Sequence, residues 1–271
     1  MALSWCFSIS AFLNEISISL SLSPTHARTQ PAMVSKEAAR TAVGVLGNVI
    51  SFVLFMSPLP TFFQICKKGS VEQYSPAPYL GTFINCGLWA VYGLPAVHPH
   101  SLLVTSINGA GMAIELVYLL LFIRYCDRKK RLQVMLVMVV ELVVVGAVAF
   151  LVLTLAHTTK LRSTIVGSIA MLGNVIMYAA PLSVMRLVIS TKSVEYMPLS
   201  LSLASFANAI CWSSYALIGF DPFIMAPNGL GAVFGMAQLI LYAIFYRKSK
   251  KQQMTESQGK GEMGLNGNSK V

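Results

Sequence analysis

The sequence predicts an all-α membrane protein with seven transmembrane helices, arranged as two parallel three-helix bundles joined by an inversion linker helix. Three observations carry this. Apolar residues make up 55% of the 271 and charged residues 11%, a balance that does not suit a water-soluble globule. The apolar residues gather in runs of roughly 20, the length a bilayer core requires of a helix. Finally, Pro58 to Tyr92, PLPTFFQICKKGSVEQYSPAPYLGTFINCGLWAVY, recurs without a gap 123 residues later, from Pro181 to Tyr215, as PLSVMRLVISTKSVEYMPLSLSLASFANAICWSSY. Ten of these 35 positions are identical, including Ser70-Val71-Glu72 with Ser193-Val194-Glu195, Asn85 with Asn208, Trp89 with Trp212 and Tyr92 with Tyr215. An apolar bias would not supply such matches, so a duplicated unit is expected.

Residues 1–35 form a Ser-rich extension with no basic stretch before its weak apolar run and no small-residue cleavage site. It does not fit a signal peptide and is expected to be disordered or an artefact ahead of Met33-Val34-Ser35. The first repeat, 36–126, holds spans at about 42–65, 76–95 and 101–124. A linker, 127–160, holds a fourth at about 133–156, which has no counterpart in either copy. The second repeat, 161–248, holds spans at about 164–188, 199–219 and 228–246, and a polar tail, 249–271, is expected to be disordered. The second and sixth spans carry Pro, Gly and Asn, costly against lipid but tolerable against neighbouring helices or water, so they are expected to face inward.

Basic residues set the orientation. One side collects Lys67, Lys68, Arg124, Arg128, Lys129, Lys130, Arg131, Arg186, Lys192, Arg247, Lys248, Lys250 and Lys251; the other has Arg28, Lys36, Arg40, Lys160 and Arg162. This places the N-terminus outside and the C-terminus in the cytosol, and with a linker helix restoring direction the two repeats run parallel. The net charge of +10 therefore belongs to loops, not to a nucleic-acid face. Five cysteines lack CxxC or metal-ligand spacing, so neither a disulfide framework, a metal site nor a cofactor is expected.

Asn108-Gly109-Ala110-Gly111 answers Asn228-Gly229-Leu230-Gly231 at an offset of 120, which brings two amides to the middle of the membrane. A lone amide there most often bonds a neighbouring helix, but a repeat-related pair points to a ligand site on the pseudo-twofold axis. Trp89 and Trp212 each follow an Asn, Asn85 and Asn208, by four residues and so share its helix face. An amide beside an indole suits an uncharged, hydroxyl-rich ring; the alternative for a Trp is an interfacial belt. Leu54 and Met177, matched at the 123 offset one turn before Pro58 and Pro181, are expected to line the same cavity. Pro58 and Pro181 inside the first and fifth spans, with Pro78 and Pro198 early in the second and sixth, are expected hinges, or else shape static helices. Gate candidates are Tyr92, Tyr215, Asp221 and Glu115. Glu115, on the Asn108 face, makes proton coupling conceivable, against the commoner fate of an interhelical hydrogen bond; Glu141 lies in the linker. No Ser/His/Asp grouping, HExxH or P-loop argues for an enzyme.

Taken together, Gly47-Asn48, Pro58, Ser70-Val71-Glu72, Asn85, Tyr92-Gly93-Leu94-Pro95, Asn108-Gly109, Met177-Tyr178, Pro181-Leu182-Ser183, Ser193-Val194-Glu195-Tyr196-Met197-Pro198 and Pro227-Asn228-Gly229 resemble a plant SWEET sugar transporter over about 36–248. The resemblance implies bidirectional, energy-independent sugar diffusion by alternating access across the plasma membrane. In the family, residues matching Asn108 and Asn228 bond the sugar, those matching Trp89 and Trp212 line the pocket, and Pro58, Pro78, Pro181 and Pro198 form a flexing tetrad. Partners would be a mono- or disaccharide, the lipid bilayer and further copies of this or a related transporter. Two indoles with Leu54 and Met177 leave room for one sugar ring, so a hexose such as glucose is expected over sucrose. Other readings are a sucrose or proton-coupled transporter and a seven-helix receptor, which need not carry the repeat. A PQ-loop carrier is disfavoured because Leu59 and Leu182 follow Pro58 and Pro181.

Overall fold

A computed structural model describes the backbone of residues 31–267 and the side chains of residues 35–250. Most of the extension expected over 1–35 lies outside the described residues. Among the described residues, nine helical segments build the seven spans: α1 (Pro31–Met56) and α2 (Leu59–Lys68) form the first, α3 (Ala77–Tyr92) the second, α4 (Leu102–Tyr125) the third and α5 (Arg128–Leu155) the fourth. α6 (Thr159–Met177) and α7 (Ala179–Thr191) form the fifth, α8 (Leu199–Gly219) the sixth and α9 (Pro222–Gly267) the seventh. Among the described residues, six of these spans are long and apolar enough to cross a bilayer. α3, at 16 residues, covers roughly 24 Å and is extended by turn bonds from the Gly93 N–H to the Trp89 carbonyl and the Leu94 N–H to the Val91 carbonyl.

Helix ends follow local chemistry. Asp127 caps α5 by accepting from the Lys130 N–H at 2.9 Å, and Thr158 caps α6 by accepting from the Leu161 N–H at 3.2 Å. Asp221 takes the N–H groups of Phe223 and Ile224 on one oxygen, at 3.1 and 3.2 Å, with Pro222 opening the helix behind it. That cap moves the start of the seventh span from the expected residue 228 to Pro222, and Pro227 lies inside the helix. The last helix runs on to Gly267, into the tail expected to be disordered from 249, with no proline after Pro227 to stop it.

Within each repeat the third helix is the spine. α4 packs against both α1 and α3, and α9 packs against both α6 and α8. Between the repeats α1 meets α8 and α3 meets α6, the two contacts that a twofold axis would exchange. The linker α5 is not shared evenly, since it packs mainly on α3 and α4. Buried apolar residues form one cluster that crosses both bundles near Tyr92 and Tyr215, a second in the first bundle together with the linker, and a third within the second bundle. Those separate clusters surround Phe62 and Tyr118 in the first repeat and Val188 in the second, toward the ends that carry the basic loops. The bundles are thus joined at the Tyr92 end and parted at the basic end.

Candidate functional site

The joined end is built from repeat-related parts. Tyr92 and Tyr215, both buried, stand edge-on to Trp89 and Trp212, each with ring centroids 5.3 Å apart and interplanar angles of 79° and 69°. Each tyrosine lies on a glycine of the opposite bundle: a Cβ at Gly167 would come within 2.9 Å of the Tyr92 ring, and one at Gly44 within 2.8 Å of the Tyr215 ring. Gly44 and Gly167 are themselves 123 residues apart. A glycine fits at both because that space is taken, by Tyr92 together with Phe223 at 2.6 Å from a Cβ at Gly167 and by Tyr215 together with Leu103 at 2.8 Å from one at Gly44.

Beneath the tyrosines the two tryptophans bridge the bundles. Trp89 Nε1 donates to Asn174 Oδ1 at 3.2 Å, and Trp212 Nε1 donates to Ser51 Oγ at 3.1 Å. Ser51 and Asn174 are repeat partners at the 123 offset, so one contact is made twice. Ser51 Oγ in turn donates to Asn208 Oδ1 at 2.7 Å, whereas Asn85 Oδ1, the matching amide, is buried without a protein donor. Asn108 and Asn228 are each the seventh residue of their helix and each donates Nδ2 to the carbonyl four residues back, Val104 and Ile224, at 2.9 Å. That depth is about 9 Å from the helix start, nearer the closed end than the expected middle.

The tyrosine hydroxyls lock the bundles differently. Tyr92 Oη donates to Asp221 Oδ1 at 2.9 Å, while Tyr215 Oη donates to the His100 carbonyl at 3.3 Å under the Arg40 guanidinium, 4.3 Å from its ring. His98 stacks on Tyr92 at 4.8 Å, touches Ser163 Oγ through Nδ1 at 3.0 Å and brings Nε2 to 3.3 Å from Asp221 Oδ2. Burial, with Arg40 and His100 nearby, holds the imidazole below its ordinary range against the pull of Asp221. Ser163 Oγ and Arg162 Nη1 donate to the carbonyls of Val97 and Ala96, at 2.6 and 2.9 Å. These side-chain hydrogen bonds between the bundles cluster from the level of the tryptophans and Asn208 toward this end.

The other sequence-derived residues sort less evenly. Leu54 and Met177 are half-buried beside the breaks of the first and fifth spans. Pro58 stands at the head of α2, and the break in the fifth span falls at Tyr178, three residues before Pro181. Pro78 and Pro198 do not interrupt helices: Pro78 is the second residue of α3 and Pro198 precedes α8, positions where a missing N–H costs no bond. Glu115 is buried beside Tyr79, Cys86 and Tyr118, away from the closed end where Tyr92, Tyr215 and Asp221 meet. Sequence reasoning missed Ser51, Asn174, Gly44, Gly167 and His98. The 123 offset could have found the first four as matched small or polar positions; His98 has no such signal.

The comparisons agree with this architecture. The family model described as "Sugar efflux transporter for intercellular exchange" matches the chain twice, at residues 41–130 and 164–250, once per repeat. The chain is 58% identical over 230 residues to a bidirectional sugar transporter SWEET4 of Oryza sativa subsp. indica, covering 85% of this chain and 88% of the relative. It is 52% identical over 227 residues to the Arabidopsis thaliana bidirectional sugar transporter SWEET7, covering 83% and 88%. A solved eukaryotic SWEET transporter superposes with a TM-score of 0.76 at 37% identity, over 78% of this chain and 99% of that one. The two matched repeats and these relatives show that the chain belongs to the SWEET (MtN3) family, a family of membrane transporters and not of enzymes.

Proposed function

We propose that the protein is a bidirectional, facilitative sugar carrier that works by alternating access and prefers a hexose such as glucose. The observation that carries this is the twice-made Trp–polar bridge, Trp89 to Asn174 and Trp212 to Ser51, lying just inside a closed end. Indole faces offer flat apolar surfaces to the C–H face of a sugar ring. The amides of Asn108 and Asn228 spend one proton on their own helices and keep an oxygen and a second N–H for ring hydroxyls. The lock above and the parting below describe one of the two states an alternating carrier needs. Amide side chains at Asn85, Asn174 and Asn208, with Leu54 and Met177 below, narrow the space between the indoles and favour one ring over two.

By the distribution of basic residues, the closed end faces outward and the parted end inward, and the membrane is taken to be the plasma membrane. The linker's exposed Leu132, Leu136, Val139 and Val143 face lipid or a further copy of this or a related transporter. Flux of radiolabelled glucose into proteoliposomes with no ion gradient tests the function. Equilibration to the outside concentration, with sucrose entering more slowly, is the expected result; flux that requires a proton gradient, or none for any sugar, overturns it.

A further inference from the structure

The two broken spans differ at the break. In the first, α1 stops at Met56 and α2 begins at Leu59, with the Ser57 N–H turned back to the Leu54 carbonyl at 3.1 Å and Pro58 unable to donate. The Phe55 carbonyl at this break accepts from Tyr118 Oη of α4 at 3.1 Å. Tyr118 is buried, and its ring lies flat on Phe62 of α2, with centroids 4.5 Å apart at 11°, while Tyr79 of α3 closes on Phe62 at 4.9 Å and 68°. Val134 and Met138 of the linker complete the same cluster. In the fifth span only Tyr178 separates α6 from α7, and backbone bonds run through it, Tyr178 N–H to Asn174 and Leu182 N–H to the Tyr178 carbonyl, both at 3.2 Å. The positions answering Tyr118 and Phe62 there are Gln238 and Met185, which can neither stack nor reproduce the phenol.

We infer that Tyr118 is a positioning residue for transport: its hydroxyl holds the first span in the broken, bent form that accompanies the parted basic end. This rests on the alternating-access reading. The phenol supplies a donor that the helix would provide if it straightened, so its bond exists only while the span is bent and biases the bundles toward that state. The ring stack is a separate element, and Tyr118→Phe removes the donor while keeping the stack, which protects folding.

The test measures the spacing of the basic ends. Spin labels at Lys67→Cys and Thr191→Cys, exposed residues at the ends of α2 and α7, are introduced with Cys6, Cys66 and Cys211 replaced by Ser, and pulsed dipolar spectra are recorded with and without glucose. The expected result is a long and a short distance in the parent protein, with Tyr118→Phe moving the ratio about fivefold toward the short one, the loss of one hydrogen bond. Glucose affinity, measured by tryptophan quenching, stays within about twofold, as it would not if the variant were misfolded. A single distance in the parent, unmoved by glucose, overturns the alternating-access reading itself. Two distances whose ratio Tyr118→Phe leaves unchanged overturn the role of Tyr118 while leaving that reading intact.

Discussion

The two repeats share a scaffold and differ in how each is fastened. Where the bundles face one another the copies are nearly interchangeable: Trp89 and Trp212 reach matched positions, Tyr92 and Tyr215 rest on matched glycines, and Asn108 and Asn228 make the same backbone contact. Away from that face they diverge. The first repeat has the linker α5 against it and an aromatic cluster at its break, while the second has a smaller cluster around Val188 and a nearly continuous fifth span. Symmetry is kept where a ligand would be held by both halves and relaxed where each half only has to hold its own shape. Four predictions can break or sharpen that contrast.

The largest effect is expected where the copies agree. Asn108→Ala and Asn228→Ala each remove a polar group from a desolvated site, a loss of roughly 1 to 3 kcal/mol, or one to two decades in affinity. Because the amides are equivalent, the two variants should fail alike. Uptake of glucose, normalised to protein at the membrane, measures this. Near-normal uptake by both would remove the site, and loss in only one would show that the symmetry of the coordinates is not a symmetry of function.

At the breaks the copies should part company. A hinge governs interconversion and not contacts, so alanine at either proline should alter counterflow rate more than glucose affinity. The first break is held by Tyr118 and packed by the cluster that includes the linker, so its bending carries less of the exchange than the fifth span's, and Pro181→Ala is expected to slow exchange about tenfold, several times more than Pro58→Ala. Equal slowing by both would mean that the clamp does not bias the hinges. Equal losses of affinity and rate would mean that the prolines only shape the helices.

The repeats were legible as identities at a fixed offset and the spans as apolar runs, and the same offset singled out the paired asparagines and tryptophans proposed for the site. The sequence was less informative where the offset pairs unlike residues. Ser51 and Asn174 perform one task with different side chains, so an identity scan passes over them. The prolines marked the broken spans without giving the break's exact residue: the fifth span breaks at Tyr178, in the turn before Pro181, because a proline disturbs the turn that precedes it. Pro78 and Pro198 fall in or before a first turn, where the ring fits without loss. Asp221-Pro222 is a helix start legible in hindsight, hidden by the more conspicuous Pro227. The unequal fastening of the repeats has no linear signature, because Tyr118 meets Phe55 only after α4 has packed against the first span.

Pocket size gives a smaller effect. Trimming Met177→Val together with Trp89→Ser should admit more disaccharide by relieving overlap, raising the sucrose-to-glucose uptake ratio a few fold. Trp89→Ser also frees Asn174 Oδ1 from its indole donor, so part of the gain comes at the expense of closure at that end. Competition uptake in cells lacking their own carriers separates the two: an unchanged ratio with slower uptake of both sugars would mean that the indole serves closure and not selection.

The smallest effect lies at the ends of α2 and α7. Both helices end on a left-handed residue at the 123 offset, Gly69 with φ 69° and Lys192 with φ 57°. The same backbone turn is filled by glycine in one copy and lysine in the other. A Cβ at Gly69 would meet nothing within 4 Å, so Gly69→Ala should cost only the conformational penalty, about 1 kcal/mol. Lys192→Gly relieves a similar penalty but forfeits the ammonium held 5.1 Å above the Phe245 ring, a contact of about 0.5 kcal/mol for this half-buried lysine. The net gain should be about 0.5 kcal/mol, a rise of roughly 1 to 2 °C in the detergent-solubilised melting temperature, against a fall of about 2 to 4 °C for Gly69→Ala. Shifts of equal size and opposite sign would show that Phe245 contributes nothing. A fall on Lys192→Gly would show that the lysine's contact with the seventh span outweighs its strained backbone.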